Sequence, residues 1–245
     1  MKRIITTLME KWPEYLLEIL VLIIGIYGAF ALDEWNDSRR NSQIEMSYYC
    51  KFLDDFELDK ANIKKRMEEA DAKVVISKKL LIGLHNKSLS LEDLVNEHIQ
   101  ASRTNAFVPS KTAITDLTSS GNLNLLNNEE IKDKLILYYA ELDNYLLQLE
   151  INRNASISRA FKYPDDIKFG YQQADYMRQS LGEEILKILP NVNWHFDEND
   201  PYYRQIQNDL VNFVGMSERE KQHYEAILSN MEPIYQLLKS TCTKK

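Results

Sequence analysis

Apolar positions along this chain fall in two patterns. From Tyr15 to Leu32 (YLLEILVLIIGIYGAFAL) they form one run interrupted by a single charged residue, Glu18. Beyond Asp33 they recur every three or four residues, the spacing of one face of a helix. The first stripe runs Tyr49, Leu53, Phe56, Lys60, Ile63, Met67, Ala70, Val74, Ser77, Leu81 and Leu84. The second is Ile131, Leu135, Tyr138, Leu142, Tyr145 and Leu149, and the third passes from Ile206 through Leu210, Phe213, Ser217, Glu220, Tyr224, Ile227, Met231 and Ile234 to Leu238. Their apolar sectors are wider than two positions in seven, so the stripes predict core faces of an intramolecular bundle rather than a homotypic coiled coil. Pro233 is expected to kink the third helix near its end.

Shorter elements fill the gaps. Ser90 with Asp93 predicts a capped helix over about 91–102, and Ser110 a second one through Thr118, ended by Ser119-Ser120-Gly121. Asn127 with Glu130 has the spacing of a capping box for the second long helix. A further helix is expected from Gln172 to Leu189, stopped by Pro190. Asn191 to Pro201 reads as a polar loop with Asp200 as N-cap of the last helix, and Asp165-Asp166 as a turn or helix start. Strand-like alternation is scarce, and Gly (7) and Pro (6) are few. The expected fold is therefore all-α: an N-terminal transmembrane helix continuing into a long helix of an antiparallel bundle. Its parts are an arm (1–13), the span (14–36), the bundle (37–240) and a tail (241–245).

The long apolar run carries the location. Trp12 and Trp35 bracket it, separated by roughly 34 Å along a helix, against a bilayer hydrocarbon core of about 30 Å. Trp12, Tyr15 and Trp35 are the expected interface anchors. A cleavable signal peptide is the alternative, with Ala29-Phe30-Ala31 as an A-x-A site. Against it stand the long segment before the run, the large residues near that site, and the lack of Gly or Pro between Gly28 and Gly83, which lets the span continue into a soluble helix. Span and first stripe are thus expected to form one rod. Flanking basic residues (Lys2, Arg3 and Lys11 against Arg39 and Arg40) favour a cytoplasmic N-terminus and an extracytoplasmic bundle. Extending the first stripe backwards in sevens passes through Glu18, Val21, Gly25 and Gly28, and Gly25 with Ala29 makes a small-xxx-small pair. These five residues are the expected contact face between spans in a homo-oligomer, with a headgroup-level position as the plainer reading of Glu18.

Recognisable chemistry is sparse. The formal charge of −7 argues against a nucleic-acid surface. The two cysteines, Cys50 and Cys242, fit neither a disulfide framework nor a zinc site, though they lie where the first and last long helices could bring them together. His85, His98, His195 and His223 lack ligand spacing and are expected on the surface or in loops. Asp197 to Asp200 resembles a calcium loop only in part, since Pro201 and Tyr202 occupy positions that need a ligand and Gly. Nucleotide, hydrolase and metalloprotease motifs are absent. No cofactor or metal is expected, and no enzymatic activity. Ser119 to Asn124 (SSGNLN) is the most sharply written polar loop, read either as a binding loop or as a cap and turn. Of the pairs Tyr48-Tyr49, Tyr138-Tyr139 and Tyr202-Tyr203, one member each is expected to face outward, toward protein interfaces.

The stretch LLEILVLIIGIYGAFALDEWNDSRRN, with Glu18, Gly25-Ile26 and Trp35-Asn36-Asp37, resembles an uncharacterised family of bacterial single-span membrane proteins. Thr112 to Tyr139 is similar to that family's helix–turn–helix core. The resemblance implies a bacterial inner-membrane location and this architecture, without a reaction. The expected function is that of a membrane-anchored interaction protein (sensor-like domain, scaffold or accessory subunit) with the bilayer, a second copy and an unidentified protein as partners. The alternative is an oligomeric pore or membrane effector built from the spans.

Overall fold

The computed structural model describes the main chain of Lys2–Cys242 and the side chains of Trp12 and of residues 16–242. Its elements are α1 (Lys2–His85), α2 (Leu91–Ser102), α3 (Thr112–Ser119), α4 (Glu129–Ala160), α5 (Asp166–Phe169), α6 (Asp175–Ile188) and α7 (Pro201–Cys242), with short 3-10 turns at Asn122–Leu125, Tyr171–Gln173 and Trp194–Phe196. The fold is an all-helical bundle.

α1 is one helix of 84 residues, about 126 Å long. No residue of Asp33 to Asn41 departs from it, although Asp, Asn and Ser are indifferent helix formers. The expected rod is therefore present. It ends where Lys87 turns left-handed (φ +55°) and the Ser88 N–H reaches back to the Gly83 carbonyl. A Cβ at Gly83 would meet the Leu89 side chain at 2.5 Å, so glycine lets the chain fold back tightly there. Ser90 then caps α2, its hydroxyl accepting from the Asp93 N–H at 3.0 Å.

Cross-bundle pairs fix the directions. Lys60 meets Glu232, Asp71 meets Lys221 and Lys73 meets Glu220, each at 2.7 Å. Numbers rise on α1 as they fall on α7, so the two are antiparallel. α4 is antiparallel to α7 by the same logic: Glu141 accepts from Asn230, Asn152 donates to the Met216 carbonyl, and Arg159 pairs with Asp209.

Burial forms two cores. The one nearer the apolar segment gathers Phe52, Phe56 and Ile63 from α1, Ile131 to Leu142 from α4, and Tyr224 to Leu238 from α7. The far core gathers Leu80, Leu84, α2, Phe169, Trp194 and Tyr202 to Phe213. Side chains of this size contribute roughly 1.5–3 kcal/mol each on full burial. The third stripe is buried as expected from Ile206 to Leu238, with Glu220 half-buried. On α1 the register is slightly off, because Phe52 and Leu80 are fully buried while Leu53 and Leu81 lie at the margin.

Several expectations are corrected. Asn128, not Asn127, caps α4, accepting from the Ile131 N–H at 3.2 Å. Ser110 does not cap α3, whose first turn is served from α1 instead. The helix expected over 172–189 begins at Asp175 and breaks at Gly182 (φ +74°, ψ 163°), a conformation open to glycine. The third stripe lies on one helix as expected, with Pro233 inside α7, which ends at Cys242. The polar loop of 191–201 carries buried Trp194, whose indole N–H donates to the Phe169 carbonyl at 3.0 Å.

Candidate functional site

The apolar run is a surface with nothing against it. Over Leu16 to Leu32 no side chain is buried, and Leu17, Tyr27, Phe30 and Leu32 are each about two-thirds exposed or more. Among the described residues it is the one helix long and apolar enough to cross a membrane. Trp12 and Trp35 are exposed at its ends, and the Arg39 guanidinium lies 5.9 Å from the Trp35 ring centre. The Tyr15 side chain lies outside the described residues. Glu18, Val21, Gly25, Gly28 and Ala29 occupy one side of α1, all exposed, and a Cβ at Gly25 or Gly28 would meet nothing within 4 Å. An α-helix drifts about 20° per heptad against a seven-residue repeat. The four heptads from Gly28 to Phe56 therefore turn this face about 80° away from the core row that the backward extension joins it to.

Where α1 enters the bundle, its carboxylates hold the α3–α4 connection. Glu45 accepts from the Asn127 main chain (2.6 Å), the Asn127 amide (2.9 Å), the Asn128 main chain (3.2 Å) and the Tyr49 hydroxyl (2.6 Å). Burial works to raise this carboxyl, but those hydrogen bonds outweigh it and hold it below the ordinary range. One turn on, the Tyr48 hydroxyl meets Ser120 and accepts from Asn122 at 3.2 Å. The SSGNLN loop is thus a cap and turn, with Gly121 left-handed (φ +72°), docked on α1.

Asp55 and Asp59 take over the work expected of a local cap. Asp55 accepts from the Ser110 hydroxyl (2.5 Å) and the Ala113 N–H (2.8 Å), and Asp59 from the Ser110 N–H (2.7 Å). Burial pushes Asp59 up to about 6, against the pull of the Ser110 N–H. Sequence reasoning missed these residues because acidic side chains on a long helix read as solvent-facing. Their signal was position, since both sit within the stripe of Phe52 and Phe56. Lys73, inside the Ala70–Val74 stretch, was missed for the same reason. It is nearly buried against Glu220, which also accepts from the Tyr224 hydroxyl.

Cys50 and Cys242, which the first and last long helices could bring together, form a disulfide with Cα atoms 5.7 Å apart, tying the end of α7 to α1. Several rings depart from expectation. His98 is fully buried against the rings of Tyr163, Phe169 and Phe213, and His195 is buried as well. Both members of Tyr48-Tyr49 and of Tyr202-Tyr203 are buried, and Tyr139 is partly so, because consecutive residues 100° apart both fit inside these wide apolar sectors. Asp197 and Asp200 spend their oxygens on the Asn199 and Tyr202 N–H groups, a turn and a helix cap. Among the described residues no group of three or more His, Cys, Asp or Glu could hold a metal.

Comparison with protein-family models, curated proteins and solved structures finds no match.

Proposed function

We propose that this chain is a single-span protein of a bacterial inner membrane whose helical bundle works by non-catalytic interaction, as a sensor-like domain, scaffold or accessory subunit. One observation carries the reading: α1 passes without a break from an exposed apolar segment into the core of the bundle. An apolar helix surface of that length needs lipid around it. A helix shared by bilayer and core converts tilt or rotation at one end into repacking at the other. The resemblance of the apolar run and its Trp-Asn-acidic exit to bacterial single-span proteins agrees with this location.

The Cys50–Cys242 disulfide favours a bundle outside the cytoplasm, since such bonds persist in oxidising compartments. That matches the orientation with the N-terminus inside. Copies would meet through Glu18, Val21, Gly25, Gly28 and Ala29, where small residues permit close approach of backbones in lipid.

The test is a two-glycine insertion after Asn36, read against the proteins that co-purify with the full chain in mild detergent. Partner capture by the parent and its loss on insertion, with the bundle still folded, is the expected result. Equal capture by both would remove the coupling role. Turnover of a substrate by the purified chain, abolished by substitution of its buried Asp or His residues, would overturn the non-catalytic reading.

A further inference from the structure

Joining α2 to α3, the chain from Thr104 to Pro109 forms a strap without helix or strand, with Phe107 in the near core. Among the described residues no main-chain hydrogen bond holds it. Its attachments are the buried Phe107 ring, edge-on to Tyr224 with centres 6.0 Å apart, and the Asn105 amide donating to Glu69 at 2.9 Å. Beneath the strap, against α4 and α7, is a cavity of about 270 Å³. This is slightly under the usual range for drug-sized ligands, roughly 300–1,000 Å³, and so suits a small molecule.

Its walls are two-sided in character. Phe107, Leu146, Leu149 and Tyr224 make an apolar floor. At the α4 edge stand Glu150 and Arg153, three residues apart on one helix. Neither makes an ion pair or hydrogen bond among the described residues, with each other or with anything else, although that spacing commonly pairs. The third charged residue of the lining, Glu220, is already committed to Lys73 and Tyr224. One unpaired anion, the exposed Glu150, and one unpaired cation, the half-buried Arg153, thus stand at the rim of an apolar space.

We propose that this cavity binds an apolar α-amino acid, with its carboxylate on Arg153, its ammonium on Glu150 and its side chain over the Phe107–Tyr224 floor. A guanidinium suits a carboxylate because its planar donors match both oxygens. A plain fatty acid would leave Glu150 facing an anion, and a plain amine would leave Arg153 unanswered. The site deepens the sensor-like reading and rests on it for purpose, not for binding.

Thermal unfolding of the full chain in lipid nanodiscs tests it, with leucine, phenylalanine, isocaproate (the deaminated analogue of leucine) and isopentylamine as probes. At a hundredfold excess over Kd, leucine or phenylalanine should raise Tm by roughly 5 to 10 °C. Isocaproate and isopentylamine should do far less. Arg153→Gln and Glu150→Gln should each weaken binding at least tenfold while leaving the ligand-free Tm unchanged, and Arg153→Lys should restore part of it. Equal shifts from all four probes, no shift from either amino acid, or undiminished binding in both variants overturns the site. Amino-acid binding that leaves partner capture untouched keeps the site and removes the sensor reading. Partner capture without amino-acid binding does the reverse.

Discussion

At the scale of single residues, the far core turns on His98. Both ring nitrogens are buried without a hydrogen bond, and burial lowers the imidazole to about 4. The folded state therefore holds the neutral ring. That contribution is intact above the unfolded value near 6.5 and is lost as pH falls toward 4, about 3 kcal/mol in all. Asp59 has the opposite sign. Its folded form titrates near 6 against 3.8, so it costs stability at neutral pH and returns it as pH falls from 6 to 3.8. His98→Leu leaves no new orphan, because no partner loses a bond. Denaturant titrations of parent and variant at pH 7.5 and 4.5 should show the variant gaining on the parent by on the order of 2–3 kcal/mol at the lower pH. A constant difference across that window would mean that the ring is hydrated in the native state.

At the scale of elements, the long helices were legible and their attachments were not. Ile206, Leu210, Phe213, Tyr224, Ile227 and Leu238 follow a period that burial alone dictates, and α7 obeys it along its length. Ser90 could be read as a cap because both partners lie within four residues. The start of α3 could not, since its carboxylates come from Asp55 and Asp59, more than fifty residues away. Gly182 was hidden differently: an isolated glycine within a helical pattern does not by itself announce a left-handed break. For the candidate site, the apolar run, its Trp flanks and the closeness of Cys50 and Cys242 could be read, whereas the Glu45 clasp needed the docking of the α3–α4 loop. The adjacent asparagines separate local from long-range work. Asn128→Ala should cost about 1 kcal/mol as a lost N-cap, independent of Glu45. Asn127→Ala should be coupled to Glu45→Ala in a double-mutant cycle by roughly 0.5–3 kcal/mol. Coupling of Asn128 alone would reverse the assignment.

At the scale of the molecule, a single covalent bond closes the bundle. Cys50 and Cys242 are separated by 192 residues. In the chain-entropy view a loop of that length stabilises the fold by up to about 5 kcal/mol. Cys50→Ser or Cys242→Ser should lower the denaturant midpoint and speed hydrogen exchange first in the last turns of α7. A midpoint indifferent to both substitution and reducing agent would show that the bond does not form in the native protein. In the proposed coupling, motion entering along α1 would reach α4 and α7 through contacts such as Phe56, Ile63 and the Lys73–Glu220 pair.

That transmission requires a rigid passage from the apolar segment into the bundle. Phe30 and Leu58 are both exposed on α1, on either side of the Asp33–Asn41 stretch. Spin labels at these two positions, in the full chain reconstituted in lipid nanodiscs, report on it directly through their dipolar distance distribution. A continuous helix gives a single narrow distance near 42 Å. A broad distribution centred well below that value would mean that the joint bends, and that the apolar segment and the bundle move independently.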